Sequence, residues 1–87
     1  MTREMDKETI TKTLLGFWKE VLGQEVSAED EFFNIGGSSL TMFQLLGKIS
    51  EVFSLEIEPE EFIEMASVRN IASYIARILN KKENEKL

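Results

Sequence analysis

The sequence predicts an all-α protein, a small four-helix bundle with three long helices and one short helix. Three segments repeat apolar residues at offsets of three or four, seven and eleven, the spacing of one face of an α-helix. A proline followed by acidic and apolar residues indicates a shorter helix after residue 59. No segment alternates apolar and polar residues convincingly enough to predict a strand.

The first helix is predicted from Lys7 to Leu22. Asp6 can cap it, because a short side-chain oxygen accepts an unpaired backbone N–H, and Gly23 can end it in a left-handed conformation. Its apolar face consists of Ile10, Leu14, Phe17, Trp18 and Val21. The following segment, up to Ser39, has no clear period, but its apolar residues predict a long loop held against the core. These residues are Val26, Phe32, Phe33 and Ile35.

The second helix is predicted to begin at Ser38 or Ser39 and to end near Phe53. Its inward stripe consists of Met42, Leu45, Leu46, Ile49, Val52 and Phe53. The opposite face has no packing explanation, because an apolar residue and a helix-weakening glycine stand among polar groups. That face carries Leu40, Gln44, Gly47, Lys48 and Glu51.

Pro59 suits the first position of the short helix, which continues through Ile63, because its missing N–H would be unpaired there. Ser67 is predicted to cap the fourth helix. The apolar stripe of this helix is Val68, Ile71, Ala72, Ile75, Ile78 and Leu79. We predict a single domain over residues 1–87, with a core of about residues 7–80 and a charged tail over residues 81–87. The charged tail favours a free-standing protein over an excised domain.

The composition excludes several classes of function. The 87 residues carry a net charge of −6, which repels nucleic acid, and no apolar run is long enough for a membrane span. The default compartment is therefore the cytosol. The sequence contains no Cys and no His, so it lacks disulfides, thiol nucleophiles, the usual metal ligands and the commonest general base.

These absences also argue against an independent enzyme. A chain of this size has little room for a ligand pocket of about 300 Å³ or more. Carboxylates that could be imagined as a metal site are expected to form a solvated face, so no metal is predicted. They are Glu56, Glu58, Glu60, Glu61 and Glu64.

The segment from Asp30 to Leu40 carries the most information. Two glycines follow an aromatic pair and allow close approach to the main chain, and a serine pair then opens a helix. The N-terminus of a helix carries about half a positive charge and tolerates an attached phosphate. Taken alone, the same residues are better explained as a tight turn and an N-cap than as an attachment site.

The stretch Phe32-Phe33-Asn34-Ile35-Gly36-Gly37-Ser38-Ser39-Leu40 is similar to the attachment motif of peptidyl carrier proteins, F-F-x-x-G-G-x-S-L. The resemblance runs from about Thr9 to Leu79 and includes the segments 18–23 and 67–72. Ser38 departs from the family, which commonly has His or Asp there. Ser67 and Ile71 stand where the family often has Thr and Leu, and both changes keep the cap or the apolar contact.

The resemblance implies that Ser39 carries a phosphopantetheine arm from coenzyme A, flanked by Gly36, Gly37, Ser38 and Leu40. Ser38 introduces an ambiguity over which hydroxyl is modified. The arm supplies the missing thiol, on which an amino-acyl, aryl or acyl group is held as a thioester. The protein is then a non-catalytic carrier that delivers its cargo by tethering.

The family implies a set of partner enzymes for a monomeric carrier in nonribosomal peptide or hybrid polyketide synthesis. They are a phosphopantetheinyl transferase, an adenylating or acyl-loading enzyme, and condensation, ketosynthase, tailoring or thioesterase enzymes. Ser38 and the non-acidic start of the second helix favour the peptidyl class over fatty-acid carriers. Two alternatives remain: a polyketide-type acyl carrier, and an unmodified helical adaptor that only binds proteins.

A carrier that visits several enzymes needs a small docking surface. The unexplained face of the second helix is the predicted surface, completed by an apolar patch on the third helix. The residues predicted for docking are Leu40, Thr41, Gln44, Lys48, Phe62 and Met65, although an ordinary core is the favoured interpretation of Phe62 and Met65. Trp18 and the pair Phe32-Phe33 are predicted to pack rather than to bind.

Overall fold

The computed structural model describes residues 6–85, with side chains through Lys81. Four α-helices follow one another as α1 (Lys7–Leu22), α2 (Ser39–Phe53), α3 (Pro59–Glu64) and α4 (Val68–Glu85). A short 3₁₀ helix, Phe32–Ile35, lies in the loop between α1 and α2. Within the described residues the only β-type pairing is an isolated antiparallel bridge between Glu31 and Ser67. The predicted all-α four-helix architecture is confirmed.

Three predicted helix ends are also confirmed: both ends of α1 and the start of α4. Asp6 caps α1 through its Oδ1, which accepts the Thr9 N–H at 2.8 Å, and Gly23 ends the helix at a φ of 70°. The Ser67 hydroxyl caps α4 by accepting the Asn70 N–H at 3.2 Å. These contacts satisfy backbone donors that the first helical turn leaves unpaired.

The core lies where α1 packs against α4 and α2, with aromatic side chains from the loop and α3 closing it. Trp18, Phe32 and Phe62 are fully buried, and their ring centroids lie 5.4 to 6.0 Å apart. Perpendicular and tilted ring contacts of this kind stabilise a core beyond the burial of area alone. The packing role predicted for Trp18 and Phe32 is therefore confirmed.

Three details differ from the sequence-based expectations. Val52, predicted to face inward, is 52% exposed, because it lies in the last turn of α2 at the edge of the apolar stripe. Phe33 is 36% exposed, so only one ring of the aromatic pair packs fully into the core. The fourth helix continues to Glu85 rather than ending near residue 80, because the lysines and glutamates of the predicted tail are good helix formers.

Helix α3 begins at Pro59 as predicted, and Glu61 supports its first turn. The Glu61 carboxylate accepts the Glu58 N–H at 3.1 Å and the Tyr74 hydroxyl of α4 at 3.4 Å. Burial, followed by the charge of Glu61, raises the pKa of Tyr74 above its usual value. One carboxylate thus joins the start of α3 to α4.

Each of the two glycines before α2 has its own structural reason. Gly36 has a φ of 107°, a left-handed conformation that few residues other than glycine adopt readily. A Cβ at Gly37 would collide with the Phe32 ring and would lie 2.7 Å from the Phe32 carbonyl oxygen. The group that approaches the main chain closely at Gly37 is therefore the protein's own Phe32 ring.

We predict that Gly37→Ala lowers the free energy of unfolding by about 1–3 kcal/mol, because overpacking forces the Phe32 ring or the loop to shift. Gly47→Ala is the matched control, since nothing lies within 4 Å of a Cβ there. That control is expected to stabilise the protein by about 0.5–1 kcal/mol by favouring the helix. Urea denaturation followed by circular dichroism measures both changes. Equal stability of the two variants would contradict this account of Gly37.

We predict that the contribution of Asp6 to stability is lost in acid. Hydrogen bonds from Thr9 lower the pKa of Asp6 in the folded protein. A carboxyl group with a lowered folded pKa stabilises above its unfolded pKa of about 3.9, and this stabilisation disappears as the pH falls through the folded pKa.

Asp6→Asn keeps a cap that does not titrate, which makes it the control for the acid effect. We expect the unfolding free energy of the wild type to fall further than that of Asp6→Asn between about pH 6 and pH 3. Parallel losses in the two proteins would show that the ionised cap contributes nothing.

Candidate functional site

A reciprocal cap involving Ser38 and Thr41 opens α2. The Ser38 N–H donates to the Thr41 Oγ1 at 2.8 Å, and the Thr41 N–H donates to the Ser38 Oγ at 3.3 Å. The two hydroxyl groups also contact each other at 3.2 Å. The Ser38 hydroxyl is therefore committed to the cap.

Ser39 is the first residue of α2, and its side chain is exposed. Its hydroxyl takes part in none of the hydrogen bonds that form the cap, all of which join Ser38 and Thr41. The first turn of α2 contains no acidic residue that would offset the partial positive charge of the helix N-terminus. An exposed, uncommitted hydroxyl in this setting fits a covalently attached phosphodiester.

The loop before Ser39 is held at several points. The Gly37 N–H donates to the Phe32 carbonyl at 2.9 Å, next to the buried ring of the same phenylalanine. From the end of α1, the Gln24 side chain donates to the Ile35 carbonyl at 2.6 Å. Core packing on one side and hydrogen bonds on the other therefore set the position of the serine pair.

An apolar patch lies directly beside Ser39. Leu40 is 69% exposed and Phe43 is 57% exposed, although both side chains are large and apolar. Gln44 and Gly47, on the same face of α2, are also exposed. We refer to Leu40, Phe43, Gln44 and Gly47 as the α2 face. Sequence reasoning missed Phe43, although its offset of three from Leu40 places it on that face.

The structure places the other residues predicted for docking differently. Phe62 is fully buried, so it cannot form part of an exposed docking patch, and the favoured core interpretation is confirmed; its ring packs against Trp18 and Phe32. Met65 is half-buried against the core. Thr41 is half-buried in the cap, and Lys48 is half-buried in an ion pair with Glu20 of α1 at 3.1 Å. Ile63 is the exposed apolar residue of α3.

The expectation that the chain has little room for a ligand pocket of about 300 Å³ or more understates the open space beside α1. An open groove of about 620 Å³ lies along the end of α1. Its walls are Gly16, Lys19, Glu20, Gly23, Gln24 and Glu25. Lys19 and Glu25 pair with each other at 2.8 Å across it, and Ser39 is not among the lining residues.

The part of the chain that the structure describes lacks two kinds of feature. No group of three or more carboxylates there is arranged to hold a metal ion, and the five glutamates predicted to be solvated are exposed. None of the described helices combines the length and the apolar character needed to cross a membrane.

Comparison with known proteins assigns the family. A family model described as a phosphopantetheine attachment site matches residues 12–75. Bacitracin synthase 2 of Bacillus licheniformis is 32% identical over 65 residues, which cover 74% of this chain and 2% of that protein. The PKS-NRPS hybrid synthetase ATPKS of Aspergillus niger is 30% identical over 69 residues, 78% of this chain and 4% of that protein. The chain thus spans a small part of these relatives.

A solved structure supports the same assignment at the level of the fold. The solution structure of an active-site mutant of a peptidyl carrier protein has a TM-score of 0.76 and 20% sequence identity, and covers 88% of this chain and 87% of that one. The predicted carrier-protein fold is confirmed. Since the family model covers most of the bundle, the chain belongs to the phosphopantetheine attachment family of carrier domains, whose cofactor is covalently bound phosphopantetheine.

Proposed function

We propose that the chain tethers an amino-acyl, aryl or acyl group on a phosphopantetheine arm at Ser39 and delivers it to partner enzymes. The observation that carries this proposal is the exposed Ser39 hydroxyl, which no capping bond engages, at the N-terminus of α2. The two flanking features of the motif, the buried Phe32 and the glycine pair, hold that N-terminus in place.

The contrast with Ser38 supports the choice of Ser39. Modification of Ser38 would turn the oxygen that accepts the Thr41 N–H into a phosphate-ester oxygen, a weaker acceptor, and would thereby weaken the reciprocal cap. Loss of such a cap destabilises a helix by about 1 kcal/mol. Modification of Ser39 leaves the cap intact, so the protein can carry the arm with its fold unchanged.

The arm supplies a flexible thiol that can hold an acyl group as a thioester. The chain contributes the attachment point, a helix N-terminus suited to the phosphodiester, and a rigid base that keeps the site exposed. Tethering raises the effective concentration of the cargo at a docked enzyme into the mM range. We therefore propose that the chain itself is not catalytic.

The names of the relatives suggest the pathway. They include a bacitracin synthase and a hybrid of polyketide and nonribosomal peptide synthetases. We propose that this chain serves nonribosomal peptide or hybrid synthesis, with a phosphopantetheinyl transferase and an adenylating or acyl-loading enzyme as its first partners. Condensation, ketosynthase, tailoring or thioesterase enzymes would then take the cargo.

The α2 face is the surface proposed for these enzymes. Leu40 immediately follows Ser39, and Phe43 lies one turn further along, so both exposed apolar side chains flank the arm. Gly47 weakens the helix without any packing reason inside the domain. A partner that must reach the arm would cover these residues, which explains why large apolar side chains are exposed there.

We predict that Ser39→Ala abolishes attachment of phosphopantetheine, whereas Ser38→Ala retains it at reduced stability, because only Ser38 caps α2. Intact-protein mass spectrometry after incubation with coenzyme A and a broad-specificity phosphopantetheinyl transferase measures the attachment. Circular dichroism establishes that both variants are folded.

A single adduct that disappears only in Ser39→Ala supports the proposed function. An adduct that persists in Ser39→Ala and disappears in Ser38→Ala would move the site to Ser38. A folded wild type without any adduct would instead favour an unmodified adaptor that only binds proteins.

We predict that Leu40→Asp lowers kcat/KM for transfer to or from partner enzymes at least about tenfold. Removing one central apolar contact costs about 1.4 kcal/mol or more, which corresponds to this factor. Val52→Asp is the matched control, because Val52 is also exposed on α2 but lies about 18 Å further along the helix axis. Circular dichroism should show full helicity for both variants. If Leu40→Asp and Val52→Asp impaired transfer equally, the α2 face would be excluded as the docking surface.

A further inference from the structure

The loop before Ser39 runs alongside the start of α4. The Phe32 N–H donates to the Ala66 carbonyl at 2.8 Å, and the Arg69 N–H donates to the Ala28 carbonyl at 3.0 Å. The isolated bridge between Glu31 and Ser67 lies between these two bonds. Residues 28–32 and 66–69 therefore form a short antiparallel pairing, although they are far apart in the sequence.

Arg69 adds a side-chain contact to this pairing. Its guanidinium group donates to the carboxylate of Glu29, 40 residues away in the sequence. The two side chains are 60% and 63% exposed. Exposed ion pairs contribute little to the overall stability of a domain, because water and salt screen them. Because the pair joins Glu29 of the loop to Arg69 at the start of α4, we expect its effect on the loop rather than on the whole domain.

The same loop leads to the attachment site through Phe32. The Phe32 carbonyl accepts the Gly37 N–H at 2.9 Å, and a Cβ at Gly37 would collide with the Phe32 ring. Gly37 precedes Ser38, the N-cap of α2. A shift of residues 28–32 away from α4 would therefore move Phe32, Gly37 and the serine pair together.

We propose that Arg69 is a positioning residue for the reaction at Ser39. Through its contact with Glu29 it holds residues 28–32 against the start of α4, and it thereby orients Ser39 for the enzyme that attaches the arm. Arg69 itself does not touch the reacting atoms. This inference rests on the proposed function of Ser39.

A charge-reversal cycle tests the proposal with Arg69→Glu, Glu29→Arg and the double variant. The first readout is hydrogen exchange at the Phe32 and Gly37 amides in the protein without the arm. The second is kcat/KM for attachment of phosphopantetheine by a transferase supplied with coenzyme A. We expect each single reversal to raise exchange and to lower kcat/KM by about fivefold, which corresponds to about 1 kcal/mol. In the double variant, hydrogen exchange and kcat/KM should both return toward their wild-type values.

Arg77→Glu is the matched control, because it makes the same change in net charge at an exposed position two turns further along α4. We expect it to leave both readouts unchanged. The effect of a single reversal should also shrink at about 1 M salt, where an exposed pair is screened.

Three outcomes overturn the role of Arg69. Exchange that does not change in the single variants shows that the ion pair does not hold the loop. Faster exchange with unaltered kcat/KM shows that holding the loop does not position Ser39. A lower kcat/KM that the double variant does not recover shows direct contact with the transferase. A wild type that accepts no arm overturns the proposed function instead, and the two failures are thus distinguishable.

Discussion

Burial of the Phe32 ring is the interaction on which the attachment site depends. The ring packs in the core against Trp18 and Phe62, while its backbone belongs to the loop that leads to Ser39. Fixing a long loop with little regular structure costs much conformational entropy. Full burial of one aromatic side chain offsets part of this cost, because it removes a large apolar area from water.

This burial explains the residues around it. Gly37 must be glycine because the ring occupies the space of a Cβ, and Gly36 must turn the chain at a positive φ to bring Gly37 there. Helix α2 can then begin with Ser38 as its N-cap. Phe32 and the two glycines of the F-F-x-x-G-G-x-S-L pattern are thus packing requirements, and only one hydroxyl of the pattern is proposed to carry chemistry.

Much of the fold could be predicted from the sequence, because helical periodicity and capping residues act locally. Helix α1 begins and ends at the predicted residues, and Ser67 caps α4 as expected. The exposure of Phe33 and Val52 could not be predicted, because it depends on which neighbours the folded chain brings to each position, whereas the helical offset from Leu40 could have placed Phe43. For Phe62 the sequence favoured the core but left a docking role open, because a six-residue helix presents too few residues to define an inward face by periodicity.

The candidate site shows the same division between local and long-range information. The serine pair could be located from its motif, but the pattern alone leaves open which hydroxyl is available. The structure separates the two serines by their hydrogen bonds: Ser38 lies at the N-cap, where its hydroxyl is used to begin the helix, and Ser39 lies one residue later with its hydroxyl in solvent. A modified hydroxyl at the N-cap would compete with the hydrogen bond that begins the helix. Placing the reactive group one residue into the helix keeps the positive end of the helix beside it and leaves the cap to hold the fold.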